Sequence, residues 1–216
     1  MSPCDVPRDP AAIHRLSFAR VRAALDELGI VPPAALAPFV LRLVHACGLP
    51  EIARDLRHRG DPLAAARAAL TAGAPVLCDT RATAAGILRR RLPAANALVC
   101  RIDDPAVVRE ARARGVTRAL VAVEHWRPLL PGAVVAIGNA PTALFRLLEL
   151  TAAEALRPAV VFAFPVGFVG AAESKAALVR LAADHDLVHL TLLGRFGGSA
   201  LAAAAVNAVL TAEETM

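Results

Sequence analysis

Residues 159–183 read "AVVFAFPVGFVGAAESKAALVRLAA". The first six are apolar and rich in valine and phenylalanine, the composition of a strand covered on both faces. From Ala171 onward the alanine-rich stretch carries leucine and valine at helical spacing, with Glu173, Lys175 and Arg180 between them. Gly167 and Gly170 separate the two halves at the turn, where glycine lets a backbone approach something closely. Strand, glycine turn and helix in that order make up half of a βαβ unit.

The unit recurs along the chain. Four more runs read as strands: "APVLCD" (74–79), "ALVCRI" (97–102), "AVVAIG" (133–138) and "LVHLTLLG" (187–194). Helical patterns lie between them. "DPLAAARAALTAG" starts with Pro62 just inside the helix and stops at Gly73; "APTALFRLLELTAAEAL" (140–156) has Pro141 in its first turn; "GGSALAAAAVNAVL" (197–210) opens on glycines and Ser199. "TRALVAVEHWRPLL" reads as helix capped by Thr117. Ahead of the first strand, residues 10–57 read as helical, chiefly "DPAAIHRLSFARVRAALDELG" (9–29) and "PAALAPFVLRLVHACG" (33–48). The sequence therefore predicts an α/β fold with a mostly parallel five-stranded sheet behind an N-terminal helical segment. No linker or repeat interrupts it, so residues 1–216 read as one domain.

Composition narrows the function. The chain carries a net charge of +5, but 23 of its 24 cationic residues are arginines scattered through alanine-rich helices. With no block of like charge, no aromatic interleaving and no tyrosine, nucleic acid is a poor partner, whereas dispersed arginines suit a small anionic ligand. No apolar run reaches the roughly 18 residues of a membrane span, and "MSPCDVPRDP" has neither a basic nor an apolar leader segment. A cytoplasmic protein without membrane contact is expected. Cys4, Cys47, Cys78 and Cys100 form no C-x-x-C pair and read as free thiols.

In an open parallel sheet, ligands sit beyond the carboxyl ends of the strands. The turns there are "CDTRATAAG" with Asp79, "IGNAPTA" with Gly138 and Asn139, "PVGFVGAAES" with Gly167 and Gly170, and "GRFGGSA" with Gly197, Gly198 and Ser199. They predict a pocket of backbone N–H groups and small side chains. It is no P-loop, since Ser174-Lys175 stands in the reverse of the required Lys-Ser order, and no strand is followed by G-x-G-x-x-G. The six histidines show no metal-ligand spacing, and no G-x-S-x-G elbow exists. His45 stands apart, in the apolar "VLRLVHACG" with Arg42 one turn earlier on the same face. An imidazole there is either a hydrogen-bonded core histidine or a proton-transfer group. Ser17, in "IHRLSFARVR", reads as an ordinary helix serine facing outward, and Glu173 as a helix-dipole partner.

"RLVHACG", "AGAPVLCD", "VVAIGNAPTALFRLLEL", "PVGFVGAAESK" and "GRFGGSALAAAAVNAVL", in this order, resemble the precorrin-8X methylmutase family from about residue 9 to about residue 210. The resemblance implies a three-layer, flavodoxin-like fold, a homodimer with active sites near the subunit interface, and contact with other corrin-pathway enzymes. It implies a methyl migration from carbon 11 to carbon 12 of a tetrapyrrole, giving hydrogenobyrinic acid or the cobalt-bearing equivalent, without a cofactor. It places the proton donor at His45 and substrate contacts at Ser17 and Arg42. The turn residues Asp79, Gly138, Asn139, Gly167, Gly170, Gly197, Gly198 and Ser199 would then bind the carboxylate-bearing rim. His14 stands where the family commonly has tyrosine, and the "CDTRATAAG" and "AADHDLVHL" segments also depart from its pattern. A non-catalytic corrinoid carrier is the alternative, though a carrier has no use for a proton donor.

Overall fold

The computed structural model describes residues 8–212, so Cys4 lies outside the described residues. Strands β2 (Val76–Cys78), β3 (Leu98–Val99), β4 (Val134–Ile137), β5 (Val160–Ala163) and β6 (His189–Leu192) are the five expected ones, each trimmed to its central residues. A sixth, β1 (Leu56–Arg59), falls at the end of the stretch expected to be helical. It was hidden because "LRHR" is polar and three of its four residues are exposed. Such a sequence suits an edge strand, whose charged side chains discourage pairing with another chain.

The sheet order is β1-β6-β5-β4-β2-β3, parallel throughout except for the antiparallel β1–β6 pair. Numbered among themselves, the five parallel strands run 2-1-3-4-5, the doubly wound order of flavodoxin-like sheets. Although the strands read as unbroken apolar runs, the pleat deals their residues to two cores. Val134, Ala136, Val160 and Phe162 face one side, and Val135, Ile137, Val161 and Ala163 face the other.

Helices α6 (Arg118–Glu124), α7 (Pro141–Glu154) and α8 (Ala171–His185) supply Val123, Leu144, Leu147 and Leu178 to the second core, while α5 (Pro105–Arg114) packs outside α6. On the first face lie α3 (Pro62–Thr71), the short α4 (Arg81–Gly86) and α9 (Ser199–Leu210). The start signals act as expected: Asp61 and Thr117 accept from Ala64 N and Leu120 N. Helix α9, "SALAAAAVNAVL", buries most of its residues, the behaviour of a helix apolar all round. Its inner side meets the sheet and its outer side meets α2 (Ala37–Cys47), with α1 (Pro10–Glu27) packed on α2. The N-terminal helices thus add a further layer to the three expected. That layer carries His14 and His45.

One core group gives the fold an acid-sensitive point. His189 is buried in β6; its Nδ1 lies 3.2 Å from the Leu187 carbonyl and its Nε2 has no partner among the described residues. Burial holds its pKa below the ordinary value, reinforced by His58 and Arg59 and opposed by the Leu187 carbonyl. The unfolded chain therefore takes up a proton near pH 6.5 before the folded one does. Stability from this residue is complete above about pH 6.5 and is lost below it, at ~1.4 kcal/mol per pH unit until the folded group also titrates. Denaturant titrations between pH 7.5 and 5 should show that slope, reduced in His189→Gln; an equal slope in both proteins would reject His189 as its source.

Candidate active site

The sequence-predicted residues fall into two groups, one in the α1–α2 layer and one at the carboxyl edge of the sheet. In the first, Asp9 caps α1 by accepting from Ala12 N at 2.7 Å, and the helix turns Phe18, Val21 and Leu25 inward. Helix α2 buries Phe39, Val40, Leu43 and Val44 and ends at Gly48, which takes φ of 73°. That packing leaves His45 exposed in the last turn of α2, facing Ser17 and Phe18 of α1.

The geometry there is specific. Ser17 Oγ lies 2.8 Å from His45 Nδ1. The Phe18 ring stacks on the imidazole at 4.9 Å with 13° between planes, and Arg42 lays its guanidinium over the same ring at 4.9 Å. Arg42 also donates to Thr211 Oγ1 at 2.6 Å. Two adjacent residues of "SF" thus fix the imidazole, the serine by its nitrogen and the phenylalanine by its plane. Since Nδ1 is engaged, Nε2 is the nitrogen available to a ligand. His14 sits 6.4 Å from His45, ring to ring. Partial desolvation by the side chains packed on the ring, then Arg42, then His14 lower the His45 pKa. The α2 carboxyl-terminal dipole pulls the other way. Ser17, Val21, Val44, His45 and Gly48 help line an open cavity of about 330 Å³.

In Ser17→Ala the imidazole loses the hydrogen bond that orients its ring. Turnover should fall about tenfold with little change in Tm, because one exposed hydrogen bond contributes only ~0.5–1.5 kcal/mol to stability. Unchanged turnover would show that the Ser17–His45 bond is idle.

The second group forms a plate. Asp79 is 1% exposed and accepts from Gly138 N (2.9 Å), Asn139 N (2.8 Å), Ala140 N (2.9 Å) and the Thr83 hydroxyl (3.2 Å). Thr80 Oγ1 lies 2.9 Å from Thr83 Oγ1 and 3.0 Å from Ser199 Oγ. Val166 N donates to Asn139 O, Gly167 N to Arg195 O and Gly198 N to Phe164 O. These bonds join the turns after β2, β4, β5 and β6 into one surface. Burial raises the Asp79 pKa, and the four donors oppose that rise.

The plate recasts several expected substrate contacts. Asp79, expected to meet the ligand, spends both oxygens on the protein and closes the switch-point crevice between β2 and β4. Gly138 and Gly197 are required by neighbours inside the fold: a Cβ on Gly138 would come within 2.5 Å of Ser199 Cα, and one on Gly197 would strike the Phe164 carbonyl. Gly167 and Gly170 take φ of 129° and 81°, so they turn the chain and lift Phe168 and Val169 into solvent, 85% and 89% exposed. Arg195 lies over the Phe168 ring at 5.4 Å. No plate residue lines the His45 cavity. The sequence missed Phe168, Val169 and Arg195; the exposure of apolar residues beside a cation is a tertiary fact. It also passed over Arg89-Arg90-Arg91, a run too short to stand out, which forms an exposed turn beside α4.

Among the described residues, no three His, Cys, Asp or Glu side chains come together as metal ligands. No helix there is long and apolar enough to cross a membrane.

Residues 12–212 match the sequence profile of a family described as precorrin-8X methylmutase. The chain belongs to this family. The Pseudomonas aeruginosa precorrin-8X methylmutase is 52% identical over 97% of this chain and 99% of its own length. The precorrin-8X methylmutase of a Sinorhizobium species is 45% identical over 95% and 96%. A crystal structure of precorrin-8X methylmutase from Thermus thermophilus superposes with a TM-score of 0.80 at 34% identity, covering 95% of this chain and all of that one. Within a methylmutase family, the stacked and hydrogen-bonded imidazole is the feature that can do proton chemistry, and the plate is the feature that can face a flat ligand.

Proposed function

We propose that this protein rearranges precorrin-8X to hydrogenobyrinic acid by moving a methyl group from carbon 11 to carbon 12, with His45 Nε2 as the proton donor. The observation that carries this reading is the Ser17–His45–Phe18 arrangement, which orients one imidazole and leaves one nitrogen free. A [1,5] methyl shift breaks one carbon–carbon bond and forms another within a single molecule. It needs a held conformation and a proton on the conjugated system, not an external nucleophile. Because the reaction is an isomerisation, a proton lent by His45 is returned to it at the end. When Nδ1 is the donor to Ser17 Oγ, Nε2 can give and retake that proton without ring rotation. Arg42, one turn away, offers a guanidinium to a substrate carboxylate.

The site is completed by a second copy of the chain. A cavity of about 330 Å³ is near the bottom of the range for drug-sized ligands, roughly 300–1,000 Å³, and a tetrapyrrole with acetate and propionate arms exceeds drug size. The plate, with Phe168, Val169 and Phe196 exposed and Arg195 at its rim, has the chemistry to cover a flat anionic macrocycle. A homodimer that set one protomer's plate against its partner's His45 cavity would enclose the substrate.

The test is to offer purified protein metal-free precorrin-8X and its cobalt-bearing counterpart and follow the visible spectrum. Conversion of the metal-free compound is expected, in keeping with the names of the two relatives. Binding of hydrogenobyrinic acid without any conversion of either substrate would replace the enzyme with a carrier.

A further inference from the structure

Twenty-four residues of this chain are cationic, and all but one are arginine; the exception is Lys175. It is also 0% exposed. In the second turn of α8, its Nζ donates to the Phe196 carbonyl at 2.7 Å, and that is its one hydrogen bond among the described residues. Phe196 belongs to the turn that also accepts Gly167 N on Arg195 O and sends Gly198 N to Phe164 O. Lys175 therefore stands beneath the plate, holding its β6–α9 edge from inside.

We propose that Lys175 is the positioning residue of the plate, and that its site accepts an amine with one acceptor and rejects a guanidinium. A guanidinium has five donors in a rigid plane and cannot give up its charge, so a pocket offering a single carbonyl would leave it charged and largely unpaired. A lysine amine needs only that carbonyl, and it still donates when neutral. Burial pushes this amine down to about 8, within reach of shedding its proton. The substitution that conserves charge is therefore the damaging one. Losing the charge altogether frees the Phe196 carbonyl but also removes a buried cation, two effects of opposite sign on global stability.

The functional consequence rests on the reading of the plate as a substrate wall. If the β6–α9 turn loosens, Arg195 and Phe196 no longer sit where they meet the macrocycle, and affinity falls while the chemistry at His45 persists.

Hydrogen exchange, thermal melting and steady-state kinetics on the full-length Lys175→Met and Lys175→Arg variants test this. In Lys175→Met the Gly167 and Gly198 amides should lose about tenfold or more in protection while Tm stays within a few degrees. KM should rise about tenfold with kcat within about twofold. Lys175→Arg should melt well below Lys175→Met. Full protection of Gly167 and Gly198 in Lys175→Met, or a Lys175→Arg protein as stable as the parent, overturns the proposal. Lost protection with an unchanged KM leaves Lys175 as the pin and removes the plate from substrate binding instead.

Discussion

His45→Ala should abolish the spectral change from precorrin-8X to hydrogenobyrinic acid, lowering kcat by about 10²–10⁴, the usual contribution of a positioned general acid. The fold should survive. His45 is exposed in the last turn of α2, and among the described residues it has one hydrogen bond, to Ser17, a stack on Phe18 and a looser ring contact with His14, so its loss costs about 1 kcal/mol. The pH profile supplies a second signature. Partial desolvation, Arg42 and His14 hold the His45 pKa below 6.5, so the empty site carries a mostly neutral imidazole at pH 7.5. A donor must be protonated, hence kcat/KM should fall as pH rises through that lowered pKa. Once a substrate carboxylate pairs with Arg42, one cause of the lowering is offset. The limb in kcat should therefore sit at higher pH than the limb in kcat/KM, and binding near neutrality should take up protons, measurable by calorimetry in two buffers. Turnover retained by His45→Ala would remove this residue from the mechanism.

Asp79→Ala should be the most destabilising single change at the sheet edge. Asp79 is 1% exposed, and its loss leaves three backbone N–H groups without their acceptor and the Thr83 hydroxyl with Thr80 alone, at a cost of about 3–5 kcal/mol. For a chain of this length that corresponds to a fall in Tm on the order of 10 °C. The substitution also separates two roles. An Asp79 that met the substrate would raise KM and leave Tm alone, whereas an Asp79 that closes the crevice lowers Tm first. A Tm within about 2 °C of the parent's, joined to a raised KM, would return this residue to the ligand contacts.

The βα repeat was legible because the parallel strands lie in largely apolar runs and several helices carry their own start or stop signals. Pro62 and Gly73 bracket α3, and Thr117 caps α6, all local features. Strand β1 was not legible, since "LRHR" becomes a strand only when β6 offers its edge. His189, inside the run read as the last strand, proves to be buried. Its side is set by the pleat and by the helix packed over it, and neither is written in the residues nearby.

The site divides in the same way. Composition and order of the segments determined an α/β protein with glycine turns at the carboxyl edge, and the motifs named the methylmutase family. That Ser17 meets His45 across 28 positions was decided by α1 packing on α2. Tertiary structure alone also decided that Asp79 and Lys175, both written beside those turns, serve the plate from within. The physical reason is burial: a polar group removed from water must find its partners inside the protein, and which partners it finds depends on what other elements bring to it.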